Sequence, residues 1–169
     1  EFARETGLRL SEMDYLRHAG IDRDDRTITI FGKGEKVRTV PLSTFAETII
    51  DRQPRYIGKP YVFWKGKGAP ITGLSSRIGG YMRRVSRKAA QQGEEFHAFS
   101  IHDLRHLFAV EYLRKGKGSI YDLQGEMGHD SITTTERYLA FLTPDQAKVA
   151  RFAVSQKATQ EPRSEGVAS

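Results

Sequence analysis

Cysteine is missing from all 169 residues, which excludes disulfides and thiolate metal sites and leaves the compartment open. Long apolar runs are missing as well: none approaches the roughly 20 residues that cross a bilayer, and no signal-peptide pattern opens the chain. A soluble cytoplasmic protein is the expectation. There is no Walker A loop, because Gly-x4-Gly-Lys-Ser/Thr does not occur. Gly-Lys-Gly does recur, at 32–34, 66–68 and 116–118, but its flanks share no fixed period, so it reflects turn composition and not a repeat. An initiator Met is lacking too: the chain starts at Glu1 already in helix-like sequence, which suggests a domain cut from something longer. The last absence is of acids, none of which falls between 74 and 93.

What is present is basic. Lys and Arg number 27 against 21 Asp and Glu, a net charge of +6, and the excess is uneven. Residues 1–118 carry 22 basic and 14 acidic side chains, whereas 119–169 carry 5 and 7. The basic face must come from the earlier part of the chain, and a polyanion is the expected partner. Arg77, Arg83, Arg84, Arg87 and Lys88 fill the acid-free stretch without the i,i+4 acids of a plain surface helix. Arg77, Arg84 and Lys88 form one stripe there and are expected to track phosphates. The length suits one domain, able to bury about 70% of its unfolded surface.

The alternation of Thr27–Phe31 and of Val37–Pro41 predicts two strands, joined by a hairpin at 32–36 that holds Lys33 at a glycine-flanked tip. Residues 61–64 are the expected third strand. Helical spacing is interrupted at Gly7, which places Arg9 at a turn into the next helix and Glu12 within pairing distance of it. A helix over 74–92 is expected to bury Ile78, Met82, Val85 and Ala89. Another over 100–115 has Ser100 as its cap and Ile101, Leu104, Phe108 and Tyr112 on its buried stripe. Helices over 120–127, 131–141 and 144–154 follow, the last led by Pro144. From Ser155 the composition turns to Ser, Gln, Glu and Gly, so 155–169 is expected to be a mobile tail.

The stretch from His102 to Tyr138 carries the chemistry. His102 and Arg105 are three apart and project from one side of their helix, so an imidazole and a cation share a wall. His129 follows a glycine at a loop, and Tyr138 lies nine residues further on; a compact fold returns both to that wall. Arginine, histidine and tyrosine together suit phosphodiester chemistry. A tyrosine hydroxyl, with a pKa of about 10, needs a base and a positive field to attack phosphorus. Arginine's planar fork can hold the charge that grows on the nonbridging oxygens.

These residues, with Thr-Gly-Leu-Arg-Leu-Ser-Glu at 6–12, Gly-Lys-Gly-Glu-Lys-Val-Arg at 32–38, His-Asp-Leu-Arg-His at 102–106 and Met-Gly-His at 127–129, resemble the tyrosine recombinase, or phage integrase, family over about 6–142. The resemblance implies an α+β domain over 1–154, mainly helical, with a small three-stranded antiparallel sheet. It implies that Arg9, Arg105 and His129 bind the scissile phosphate of duplex DNA, that Lys33 is the general acid of the hairpin, and that Tyr138 is the nucleophile. His102 takes the family's variable His or Lys position and is the expected base, and Glu12 supports Arg9. The product would be a 3′-phosphotyrosyl link that stores the bond energy, so no metal, cofactor or ATP is expected. Met127 stands where the family usually has Leu, and no residues match the N-terminal domain that closes the clamp round DNA. The resemblance further implies a bacterial or phage-encoded protein, a monomer when isolated and a tetramer on DNA at synapsis, with the helix at 144–154 docking on a neighbour.

Three rivals are set aside on the same residues. His102, His106 and His129 also resemble a three-histidine zinc site, but Asp103 replaces the catalytic glutamate of that motif and Arg105 would place a cation beside the metal; His106 is instead expected to bond backbone. A DNA-binding module without catalysis would have no need of six filled catalytic positions. A type IB topoisomerase would share the chemistry but is larger. From the 77–88 cluster, the isolated domain should bind duplex DNA near the micromolar nonspecific range, roughly, with affinity falling steeply as salt rises. An affinity unmoved between low and physiological salt, measured by fluorescence anisotropy, contradicts this.

Overall fold

Helices begin in this chain where a serine can take up the free N–H groups of a first turn. In the computed structural model, which describes residues 1–31 and 37–152, Ser43, Ser100, Ser119 and Ser131 each accept a backbone N–H at a helix start. At Ser100 and Ser119 the cap is reciprocal, because Asp103 and Asp122 turn back to accept the serine N–H. The helices so capped are α3 (Thr44–Asp51), α5 (Ile101–Arg114), α6 (Ile120–Met127) and α7 (Ile132–Glu136). The other α-helices of the described residues are α1 (Phe2–Thr6), α2 (Leu10–Asp14), α4 (Leu74–Gln91) and α8 (Pro144–Phe152).

Strands β1 (Ile21–Asp22), β2 (Thr27–Phe31) and β3 (Val37–Pro41) form an antiparallel sheet in that order. The register pairs Ile28 with Val40 and Ile30 with Arg38. The period of two therefore buries Ile28, Ile30 and Val40 on one face and turns Arg38 to that same face. The third strand is Ile21–Asp22 and not 61–64, as the sequence suggested. The backbone of 60–62 is occupied elsewhere: Val62 N–H donates to the Leu16 carbonyl, and the Pro60 carbonyl accepts from His18. Trp64–Lys65 (β4) then pairs with Ala69–Pro70 (β5) in a separate two-stranded ladder.

Two further expectations are corrected. The α4 stripe is only half-buried at Ile78, Met82 and Val85 and fully covered only at Ala89, because α4 meets the rest of the fold through Leu74 and Ile78 at its start. The expected helix over 131–141 is divided, with α7 tightening into a 3-10 turn at Arg137–Phe141. The hairpin tip with Lys33, the last residues of the expected 144–154 helix and the 155–169 tail lie outside the described residues.

The apolar side chains gather in two clusters, and α5 serves both. Ile101 at its start belongs with Leu8, Ile28, Val40, Leu42 and Val62 in the sheet-side cluster. Phe108, Ala109, Tyr112 and Leu113, one turn and more later, belong with Leu123, Met127, Tyr138 and Ala150. Leu123 is completely buried in the second cluster, so Leu123→Ala should lower the unfolding free energy by about 2–5 kcal/mol. Urea unfolding should show a lower midpoint at an unchanged slope; an unshifted midpoint would mean the cluster does not hold this half of the fold.

Candidate active site

Arg105 lies between the two clusters with only 4% of its surface exposed. A buried guanidinium needs acceptors on every side, and here they are backbone carbonyls. Nη1 donates to the Gly7 carbonyl, and Nη2 donates to the Met127 carbonyl at 2.6 Å. Both carbonyls come from turns that end a helix in left-handed backbone: Gly7 has φ 63° and Gly128 φ 62°. A side chain at Gly7 would also collide with the Phe108 ring. Sequence and turn geometry thus converge on glycine at these positions.

Arg9 begins α2 beside this buried cation. Its Nη2 donates to the Gly128 carbonyl at 2.6 Å and its Nη1 to Glu12 Oε1 at 3.0 Å, while Glu12 Oε2 accepts the Arg9 backbone N–H at 2.7 Å. Arg38, which the sequence reading did not single out, reaches the same carboxylate: Nη1 and Nη2 donate to Glu12 Oε1 and Oε2, each at 2.8 Å. Burial pushes the Glu12 carboxyl upward, but hydrogen bonds from Arg38 and Arg9 outweigh it and hold the group below its ordinary value. Of the charged groups in this network, three are guanidiniums and one is a carboxylate. Burial, and next the Arg9 charge, pull Arg105 down to about 10, still a cation at neutral pH. Such a site is short of negative charge and suited to an anion.

His129 faces Arg105 on one side and Thr135 on the other. Its Nε2 lies 3.3 Å from Arg105 Nη2, and its Nδ1 lies 2.9 Å from Thr135 Oγ1. Arginine only donates, so Nε2 accepts and the ring proton is on Nδ1, directed at the threonine. Burial, then the charges of Arg105, Arg9 and other arginines, pulls the imidazole down to about 4, which agrees with a neutral ring.

Tyr138 packs against this histidine, ring centroids 6.4 Å apart and nearly parallel, and is 2% exposed. Burial raises the phenol above its ordinary pKa, against the opposing pull of Arg105 and Arg137. His106, expected to bond backbone, instead fills the space beside Tyr138 with ring centroids at 5.5 Å, and His102 stands edge-on to His106 at 4.4 Å. At i and i+4 the two imidazoles lie on one helix face, so the half-buried His106 meets the tyrosine and the exposed His102 meets solvent. The fold thus brings Arg9, Glu12, Arg105, His129 and Tyr138 together and leaves His102 one ring removed. Arg77, Arg84 and Lys88 are exposed on α4, which packs on α2. A groove of about 1360 Å³ opens beside the network, lined by Arg9, Glu12, Arg38, His129, Tyr15 and Tyr121 among others.

Arg38 and Thr135 are the partners that sequence reasoning missed. For Arg38 a signal existed: it is two residues from Val40 in an alternating strand, so it shares the buried face, where a lone cation requires a partner. Thr135 had no such signal, since nothing local marks which of three consecutive threonines, 133–135, turns inward.

With this geometry described, comparison with known proteins gives one consistent answer. The phage integrase family profile matches residues 1–143. The tyrosine recombinase XerC of Xylella fastidiosa strain 9a5c is 33% identical over 136 residues, which cover 79% of this chain and 44% of that protein. XerC of Halalkalibacterium halodurans is 34% identical over 142 residues, covering 79% and 46%. The chain therefore spans about half the length of the curated relatives it matches. Among solved structures, the Tn1549 transposon integrase in complex with circular intermediate DNA aligns with a TM-score of 0.65 at 27% identity, covering 88% of this chain and 54% of that one. The XerA recombinase aligns with a TM-score of 0.64 at 26% identity, covering 86% and 53%.

The protonation of His129 is directly measurable. An NMR titration should place its midpoint near about 4, against an ordinary value of about 6.5. Because the folded value is depressed, the unfolded chain binds the extra proton between those limits, so His129 makes stability fall as pH drops from about 6.5 towards 4. His129→Asn should reduce that loss; an ordinary midpoint would overturn the neutral-ring assignment.

Proposed function

The chain belongs to the phage integrase family, and from that membership we propose that residues 1–154 are the catalytic domain of a site-specific DNA recombinase, which cuts and rejoins strands through a covalent 3′-phosphotyrosyl link. The carrying observation is the meeting of Arg9, Arg105 and His129, from three separated segments, beside Tyr138.

In the proposed step the Tyr138 hydroxyl gives its proton to His102 while its oxygen forms a bond to phosphorus, the bond from phosphorus to the 5′-oxygen breaks, and that oxygen leaves as a hydroxyl. Lys33, which lies outside the described residues, supplies its proton in this proposal, as the family resemblance implies. Arg9 and Arg105 receive the charge of the nonbridging oxygens; their guanidiniums are already oriented by carbonyls and Glu12, so little reorganisation is left for the moment of reaction. His129 acts as a neutral hydrogen-bonding group. The phenol is un-ionised and covered, so the 137–141 turn must shift for its oxygen to reach DNA, and at the surface of that wall stands His102, the assigned base. The chemistry uses no metal and no cofactor.

Duplex DNA is the proposed substrate, and solved relatives such as the XerH recombinase bound to a difH substrate support that choice. A synaptic tetramer that is monomeric off DNA belongs to the same proposal. Val149 and Phe152 of α8 are exposed, an apolar face suited to a neighbouring copy. No helix among the described residues is long and apolar enough to cross a membrane; the cytoplasm is the proposed location.

The test is a nicked duplex, drawn from DNA flanking the gene, that loses a short fragment on cleavage so that religation is impossible. Denaturing electrophoresis should show a protein–DNA adduct without added metal or ATP. Tyr138→Phe keeps the ring and removes the oxygen, so it should abolish the adduct and retain binding. Arg105→Ala should slow adduct formation by on the order of 3 kcal/mol in barrier. An adduct that persists in Tyr138→Phe sinks the nucleophile assignment, and a requirement for divalent metal sinks the mechanism.

A further inference from the structure

The Arg38 guanidinium lines the groove and touches three parts of the site. Its two terminal nitrogens grip both oxygens of Glu12, and its Nε donates to the Glu126 carbonyl at 2.8 Å, just before the turn that carries His129. The grip is enclosed: the Arg38 side chain is 15% exposed and that of Glu12 6%. The turn closes over it so tightly that a Cβ on Gly128 would stand 3.0 Å from Arg38 Nη1. Glu12 in turn holds Arg9 through its side chain and its backbone N–H.

We propose that Arg38 is the positioning residue of this site: from β3 it fixes Glu12 and the Gly128–His129 turn, and through them it sets where Arg9 meets the phosphate. Its fork is already filled by a carboxylate, so it binds no substrate oxygen. The bidentate geometry matters because it fixes Glu12 in rotation as well as in place, which a single ammonium cannot do. Residues 26 and 88 positions away in sequence are joined by this one side chain. Without it the carboxylate keeps only Arg9, and the Arg38 bond to the Glu126 carbonyl is lost.

The inference rests on the strand-cleavage proposal, so the experiment separates the two. On the nicked duplex, single-turnover adduct formation and DNA affinity are measured for wild type, Arg38→Gln, Arg9→Ala and the double variant. Arg38→Gln should form adduct at least about tenfold more slowly, with affinity changed by less than about threefold. The double variant should be no slower than Arg9→Ala alone, because both changes remove one interaction. Arg38→Lys keeps the charge and loses the fork, and should not restore the rate. The pH profile adds a readout that lost packing would not move. The charged groups facing Glu12 are Arg9, Arg38 and, from α5, Arg105. Losing the Arg38 hydrogen bonds lets burial raise Glu12, so the acid limb of the rate should move to higher pH in Arg38→Gln.

A wild-type rate in Arg38→Gln, additive losses in the double variant, or full rescue by lysine overturns the inference. If wild type forms no Tyr138-dependent adduct, the cleavage proposal fails instead. The same four proteins are then titrated with inorganic phosphate, followed by the NMR signals of His129, and non-additive weakening still supports Arg38 while additive weakening or none overturns it. A wild-type site that neither cleaves nor holds phosphate overturns both. Should Arg38→Gln fail to fold, Arg38→Lys enters the cycle in its place.

Discussion

A guanidinium buried between two hydrophobic clusters is the constraint from which the rest of this structure follows. Arg105 can occupy that place only if acceptors reach it from both sides, and it draws them from the ends of α1 and α6. Removing a charge from water costs several kcal/mol, so these carbonyls are conditions of the fold as well as features of the site. They bring together segments that are 98 and 22 positions from Arg105 in sequence. Once they are in place, Gly7 and Gly128 have left-handed backbone, Arg9 finds the Gly128 carbonyl, and His129 falls beside Arg105.

The charge balance is the second feature of the site. Like charges crowd one another here: burial lowers Arg105 most, and the further lowering by Arg9 and Arg38 is the trace of that crowding. A fold selected only for stability would replace such a group with apolar packing at no loss. Glu12 relieves part of the repulsion and leaves an excess of positive charge suited to an anion. The same burial that concentrates the field also covers Tyr138 and raises its phenol, which keeps the hydroxyl protonated and away from solvent.

Local chemistry made much of this legible. Serine caps, glycine stops and strand alternation placed α5, α6, β2 and β3 to within a residue or two, because each depends on neighbours in sequence. Arg9, Arg105, His129 and Tyr138 were found by motif and spacing, and the fold brings them together. The third strand was misplaced because 61–64 has the composition of a strand, yet its hydrogen bonds go to Leu16 and Ile71, which no local pattern encodes. The α4 stripe was overestimated for a related reason: amphipathic spacing shows which face is apolar, not whether anything covers it.

What the sequence determined by itself was the cast of residues and their local posture: which side of a helix His102 and Arg105 share, that Arg9 begins a helix, that glycines end α1 and α6. Those are settled within a few residues by capping, periodicity and backbone sterics. Tertiary structure alone decided that Arg38 grips Glu12, that Thr135 and not its neighbours meets His129, that His106 separates His102 from Tyr138, and that the phenol is covered. The physical reason is that a hydrogen bond between distant segments, or a shift in a buried group's pKa, depends on who else is within a few ångströms, and only the closing of the two clusters around α5 fixes that company.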